Sequence, residues 1–199
     1  MSSNRNQQTQ ILTESPLVEL DFASVNQQPE RLAIAELPFL GHLNVRGSLA
    51  NKPFANACKK VLGRALPATA NVADIADETT LVWYGPSEWL LLTAPEAATE
   101  LAEQLRQALG ETHSLVTDIS GGNTVIEISG QHARDLLAKA VTIDVHPNEF
   151  SVGAAISTTF AHAAGCLLRV DENVYCVIVR RSFADYIGHW LLDAAKEFV

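Results

Sequence analysis

Basic side chains, cysteines and long apolar runs are all scarce in this chain, and each scarcity closes off a class of function. Fourteen Lys and Arg stand against 23 Asp and Glu, a formal net charge of −9. Nucleic acids are held largely by cations that displace counterions from phosphates, so no nucleic-acid partner is expected. The same deficit disfavours an anionic membrane surface. Three cysteines, Cys58, Cys166 and Cys176, are too widely spaced for a disulfide framework and fit a reducing compartment. The polar start, Met1 to Gln10, has no apolar stretch of the kind a secretory leader needs, and the expected location is cytoplasmic. The longest charge-free stretch, 150–168, carries serines, threonines, a histidine and two glycines. It is too polar to cross hydrocarbon and reads as two strands around a turn.

Several chemical signatures are missing as well. No Gly-x-x-x-x-Gly-Lys occurs, so no phosphate-cradling loop is expected. Gly85-Pro-Ser-Glu-Trp89 approaches a nucleophile elbow but lacks the last glycine, and it sits between two apolar runs as a hairpin turn would. Gly121-Gly122 has the wrong spacing for a dinucleotide fingerprint. The only close His/Cys pair, His162 and Cys166, has no second pair to complete a metal site, and Gly165 predicts a turn that splays the two apart. Cys58 and Cys176 occupy apolar-patterned positions, where burial raises a thiol pKa and blunts its reactivity.

What the chain has is a unit written twice, over about 43–109 and 124–195. Leu43-Asn-Val-Arg-Gly47 and Ile126-Glu-Ile-Ser-Gly130 open the two copies. A helical pattern follows each: Phe54, Ala57, Cys58, Val61 and Leu62 in the first, Ala133, Leu136, Leu137, Ala140 and Val141 in the second. Both sets fall at i, i+3, i+4, i+7 and i+8, which places one helix face in a core. In the first copy Pro53 near the start and Gly63 past the end mark the limits. Two apolar runs around a short turn come next, Leu81–Tyr84 with Trp89–Leu92 and Leu167–Val170 with Val174–Val179. Each copy ends in a long helix, predicted to be capped by Thr93 with Glu96 and by Ser182 with Asp185. The predicted inner stripes are Ala97, Leu101, Leu105 and Ala108, and Phe183, Tyr186, Ile187, Trp190, Leu191 and Ala194.

Between the copies, Leu115–Ile119 and Thr124–Ile128 flank Ser120-Gly-Gly-Asn123, a hairpin by turn chemistry. The stretch 68–80 lacks a period and reads as loop, whereas 154–160 at the same place in the second copy reads as a strand. Residues 1–10 read as a polar tail. The segment 1–36 as a whole reads as an N-terminal arm, flexible or bound to a partner, ahead of a single domain over 37–199. Hairpins without regular βαβ alternation give an α+β fold with antiparallel sheets, built from two strand-helix-hairpin-helix repeats.

Few side chains are placed for chemistry. Asp74, Asp77 and Glu78 sit in the predicted loop and are read as solvated. Asp118 ends a strand and is read as an Asx cap on the turn. Arg180-Arg181, between an apolar strand and the last helix, is the more pointed pair. Guanidinium forks suit carboxylates or phosphates, so the pair is a candidate partner interface or anion anchor. An internal ion pair with Asp185 or Glu88 is the competing reading.

At Val116–Gly130 and Ala133–Ala138 the sequence resembles the folate-binding domain of glycine-cleavage aminomethyltransferases. At Val179-Arg-Arg-Ser-Phe-Ala-Asp-Tyr186, Trp190–Ala195, Asp144–Pro147 and Tyr84–Leu92 it resembles the gamma subunit family of heterotetrameric sarcosine oxidase, over roughly residues 37–199. The resemblance implies an aminomethyltransferase-like fold and a non-catalytic scaffold subunit in a flavoenzyme complex. That complex oxidatively demethylates sarcosine to glycine with hydrogen peroxide and formaldehyde or methylenetetrahydrofolate. It further implies larger alpha and beta subunits and a small delta subunit as partners. FAD, FMN, NAD and the tetrahydrofolate site would lie on other subunits, and no catalytic, cofactor-binding or metal residue is expected on this chain. The related aminomethyltransferases place an acid after a glycine in the second-repeat hairpin, where this chain has Ala164-Gly-Cys-Leu-Leu-Arg169. A stand-alone folate-binding or one-carbon transfer protein is the alternative, with Asp118 as its best carboxylate.

Overall fold

The computed structural model describes residues 13–76 and 78–198. Two five-stranded sheets run through it. One contains β1 (Ala33–Leu37), β7 (Asn123–Ser129), β10 (Val174–Arg180), β9 (Ala163–Asp171) and β8 (Ala155–Phe160) in that order. The other contains β3 (Ala73–Asp74), β4 (Thr79–Gly85), β5 (Glu88–Thr93), β2 (Gly41–Arg46) and β6 (Leu115–Asp118). All their pairings are antiparallel. The α+β class expected from the sequence is what the chain adopts.

The repeat is larger than its sequence signature. Each unit reads strand, strand, helix, three strands, helix: β1, β2, α1 (Lys52–Leu62), β3, β4, β5 and α2 (Ala97–Leu109), then β6, β7, α3 (Ala133–Ala140), β8, β9, β10 and α4 (Arg181–Ala195). The first strand of each unit leaves it and joins the other unit's sheet. β1 lines up beside β7, and β6 lines up beside β2. The units meet again at Val72 and Ala154, where the Ala73 amide donates to the Gly153 carbonyl and the Ala155 amide to the Asn71 carbonyl, at 2.7 and 2.9 Å. This reciprocal pair marks a pseudo-twofold axis.

The sheets stack with helices outside them, and strand alternation explains the layers. On β5, Trp89 and Leu91 face a core shared with α1 and α2, while Leu90 faces the other sheet. On β10, Tyr175, Val177 and Val179 face α3 and α4, while Cys176 and Ile178 face between the sheets. Successive side chains point to opposite faces, so a strand covered on both sides becomes a continuous apolar run. In α1, proline comes early and Gly63 closes the helix at φ 72°, as expected.

Local signals misled in five places. The segments around Ser120–Gly122 do not form a hairpin, because β6 and β7 belong to different sheets. A tight two-residue turn needs positive φ, and neither Gly121 nor Gly122 has it. The expected caps do not form: α2 begins at Ala97, and the buried Thr93 hydroxyl donates instead to the Ala94 carbonyl at 2.8 Å. α4 begins at Arg181, so Ser182 lies inside the first turn. The buried stripe of α2 is Ala98, Ala102, Leu105 and Leu109, rotated from the predicted one. On α4 the buried residues are Ala184, Ile187, Gly188, Leu191 and Ala195, which leaves Phe183 and Tyr186 exposed.

The segment read as an arm contributes to the body. Leu17, Val25, Leu32 and Ile34 are buried against the core under α3 and α4, Gly188 leaves room for Leu20, and the expected boundary at 36/37 falls inside β1. The tail read at 1–10 lies outside the described residues.

Candidate functional site: a cleft between the two sheets

A cleft of about 1020 Å³ opens where the two sheets part, bounded by the edge strands β6 and β8. Its lining is hydroxyl-rich: Thr117, Thr142, Ser157, Thr158 and Thr159, with Asn44 and Tyr84 deeper in. Among the lining residues Glu88 is the one carboxylate and Arg180 the one cation. Glu88 is already engaged, accepting a hydrogen bond from Asn44 at 2.7 Å and pairing with Arg46 at 3.2 Å. Burial pushes the Tyr84 phenol up to about 12, reinforced by Cys166 and Glu88 and opposed by Arg180. It stays a neutral donor near neutral pH.

The two arginines singled out in the sequence part company. Arg180 ends β10 with extended backbone, ψ 138°, and lines the cleft. Arg181 opens α4 and turns the other way, donating to the Glu14 carbonyl at 2.7 Å. Neither makes an ion pair among the described residues; Glu88 pairs with Arg46, and Asp185 lies beside His189.

The remaining candidates take structural places. Asp118 accepts from the Ser120 amide at 2.9 Å and from the Ser120 hydroxyl, the predicted Asx cap. Asp74 pairs with Arg64 at 3.3 Å, Glu78 is exposed, and Asp77 lies outside the described residues. His162 is exposed at the β8–β9 turn while Cys166 is buried inside β9. They are splayed as expected, but Gly165 is not the turn: Ala161, at φ 51°, makes it. Burial pushes the Cys58 thiol up to about 11 and those of Cys166 and Cys176 to about 12, far from a working nucleophile. No group of three or more His, Cys, Asp or Glu is arranged to hold a metal among the described residues, and no helix there is long and apolar enough to cross a membrane.

Sequence reasoning missed His42. It is buried on β2, its Nδ1 lies 2.9 Å from the Leu40 carbonyl, and its Nε2 has no partner. Burial lowers its pKa, against smaller opposing effects of the Leu40 hydrogen bond and Asp118.

A family model described as the sarcosine oxidase, gamma subunit family matches residues 46–197. The chain belongs to that family. Among gamma-subunit relatives, sarcosine oxidase subunit gamma of Arthrobacter sp. is 35% identical, covering 100% of this chain and 97% of its own. The Corynebacterium sp. (strain P-1) subunit is 37% identical, covering 83% of this chain and 80% of its own. In structure, the chain matches a chain of the heterotetrameric sarcosine oxidase from Corynebacterium sp. U-96 in complex with pyrrole 2-carboxylate. That match has a TM-score of 0.85 and 31% identity, over 94% of this chain and 96% of the other. Aminomethyltransferase T of the glycine cleavage system from Bartonella henselae matches at TM-score 0.61 and 12% identity, over 81% of this chain and 45% of the other. That likeness is one of fold.

The Ala164–Arg169 stretch carries no carboxylate. In Ala164–Arg169, Leu168 points into the core between the sheets, and Arg169 turns to the helix side. There Arg169 donates to the Phe150 and Glu172 carbonyls at 2.8 and 2.7 Å and lies over the Tyr175 ring. These residues place no carboxylate where the resemblance implies that the related enzymes carry one.

Proposed function

We propose that this chain is a scaffold subunit, without catalytic residues of its own, of a multi-subunit oxidase that demethylates sarcosine to glycine. The observation that carries this reading is the pairing of gamma-subunit membership with a cleft whose one carboxylate is tied to Asn44 and Arg46. The larger alpha and beta subunits would hold FAD, FMN, NAD and the tetrahydrofolate site, a small delta subunit would complete the complex, and the whole would work in the cytoplasm. Arg180 and Arg181 form the candidate partner interface, with Arg180 as its main contact, since Arg180 lines the cleft without an ion-pair partner among the described residues whereas Arg181 is tied to the Glu14 carbonyl.

A native pull-down with partner identification tests this. It is expected to recover flavin-carrying subunits with sarcosine oxidase activity, while the isolated chain turns over no sarcosine. Tetrahydrofolate titrated calorimetrically into the isolated chain is expected to give no binding heat. Binding heat or methyl transfer by the chain alone would overturn the scaffold reading in favour of a folate-binding protein.

A further inference from the structure

β8 is an edge strand whose outer side is closed only at its ends. At one end the Ala155 amide donates to the Asn71 carbonyl at 2.9 Å; past the other, the Ala161 amide donates to the Ala140 carbonyl at 2.7 Å. Alternate residues of an antiparallel strand turn their main-chain groups to the same edge. Ser157 and Thr159 therefore also face outward, between the two closures. The Val141–Phe160 bridge turns the Thr142 amide to the Thr159 carbonyl, so the Ser157 amide and carbonyl and the Thr159 amide are the groups left without a backbone partner among the described residues. Both are exposed, and both line the cleft.

An edge left open between two closed ends is a short template for one more strand. It offers two donors and one acceptor at strand spacing, over about 7 Å. A free anion would use only the donors, whereas a peptide backbone uses all three, as in strand addition to a sheet edge. Across the same cleft stands Arg180, with no ion-pair partner among the described residues, while Glu88 is neutralised by Arg46. The cleft thus has a backbone template and one uncompensated positive charge.

We propose that the cleft receives an extended segment of a partner subunit, which pairs with β8 at Ser157–Thr159 and sets a carboxylate on Arg180. This rests on the subunit reading above and says where, and by what chemistry, the partner is gripped.

The test uses the assembled complex. A benzophenone amino acid replaces Thr159 in one preparation and, as a control, the exposed Lys60 of α1 in another. After irradiation the cross-linked peptides are sequenced by mass spectrometry. The Thr159 position is expected to capture a partner peptide containing Asp or Glu, and the Lys60 position is not. Ser157→Pro blocks an outward-facing edge amide without removing a bond of the β8–β9 ladder. That variant and Arg180→Glu should each weaken assembly about tenfold or more, with unchanged circular dichroism of the isolated chain. Arg180→Glu and the cross-link decide the matter if the proline variant does not fold. An intact complex with no partner cross-link from Thr159, or with both variants assembling like the parent, overturns this inference alone. So does a small carboxylate compound released from the cleft of that complex. A parent chain that captures no partner overturns the subunit reading and this inference with it.

Discussion

The two units agree along their strands and differ where they meet the cleft. Val45 pairs with Trp89 in one sheet as Ile128 pairs with Tyr175 in the other, and both aromatics are fully buried. The register places Leu91 opposite Leu43 and Val177 opposite Ile126 in the same way. Yet β3 has two residues where β8 has six. At the strand–helix join, Ala94 stands where the second unit has Arg180. The duplicated positions are those that fill cores. The divergent ones leave one long open edge and one uncompensated cation on the same side of the molecule, so specialisation sits in the second unit.

The largest expected effect tests whether the units are separable. Trp89→Ala empties a fully buried site, loses contact with Phe54 and removes the indole hydrogen bond to the Pro67 carbonyl at 2.8 Å. About 3–5 kcal/mol of stability should go. Tyr175→Ala, its counterpart, should cost a similar amount through its stack on Phe150 and its contact with Arg169. Because β1 and β6 are exchanged between the sheets, each variant should unfold in a single transition, coincident by fluorescence and circular dichroism. A separate early transition confined to the mutated unit would break the comparison.

The repeat was legible where burial imposes a period. The faces of α1 and α3 and the four runs forming β4, β5, β9 and β10 follow from spacing alone. What spacing does not carry is which sheet a strand joins. Ser120-Gly-Gly-Asn123 has the composition of a hairpin turn, but β6 finds its partner at Leu43–Arg46, some seventy residues earlier. β1 was lost for a related reason: Ala33-Ile-Ala-Glu-Leu37 offers few large apolar residues, and its pairing with β7 becomes visible only in three dimensions. Capping failed at Thr93 because a hydroxyl held inside a sheet bonds where it is buried. Arg180-Arg181 drew notice as a pair, but the sequence could not say that a strand-to-helix break would send one guanidinium to the cleft and the other to Glu14.

A smaller effect concerns a histidine that only the first unit has. His42 stands where the second unit has Val125, each beside the first residue shared by the two opening strands. Burial lowers the pKa of His42 from its ordinary value near 6.5. In the unfolded chain the imidazole takes up a proton near that pH, while the folded state resists it. Its contribution to stability is therefore constant above about 6.5 and is lost on acidification down to the folded pKa, by at most about 1.4 kcal/mol per pH unit. His42→Val copies the second unit and should remove that part of the slope in urea melts between pH 7 and 5. An unchanged slope would show that His42 titrates normally.

The pseudo-twofold axis gives a still smaller contrast. Asn71 and Gly153 occupy matching left-handed positions, at φ 61° and 86°, and each offers its carbonyl to the other unit. Gly153→Ala should cost about 1 kcal/mol, because a Cβ is strained there. Asn71→Gly should change stability by less than about 0.5 kcal/mol, since asparagine tolerates this conformation. Urea midpoints decide it. A neutral Gly153→Ala would mean that the axis does not hold that backbone.

The smallest change in stability belongs to the arginines, and there the comparison turns from folding to assembly. Arg181→Ala removes one exposed hydrogen bond to the Glu14 carbonyl and should cost no more than about 0.5 kcal/mol. Arg180→Ala gives the second unit the residue the first already has at that join, and no bond within the described chain is lost, so melting should not move. If the cleft holds a partner's carboxylate, Arg180→Ala should weaken co-purification of the complex while Arg181→Ala leaves it nearly intact. Equal losses would put the contact on the outer face of α4, with the exposed Phe183 and Tyr186. A fall in melting temperature for Arg180→Ala without loss of assembly would make the asymmetry of the two units a matter of folding alone.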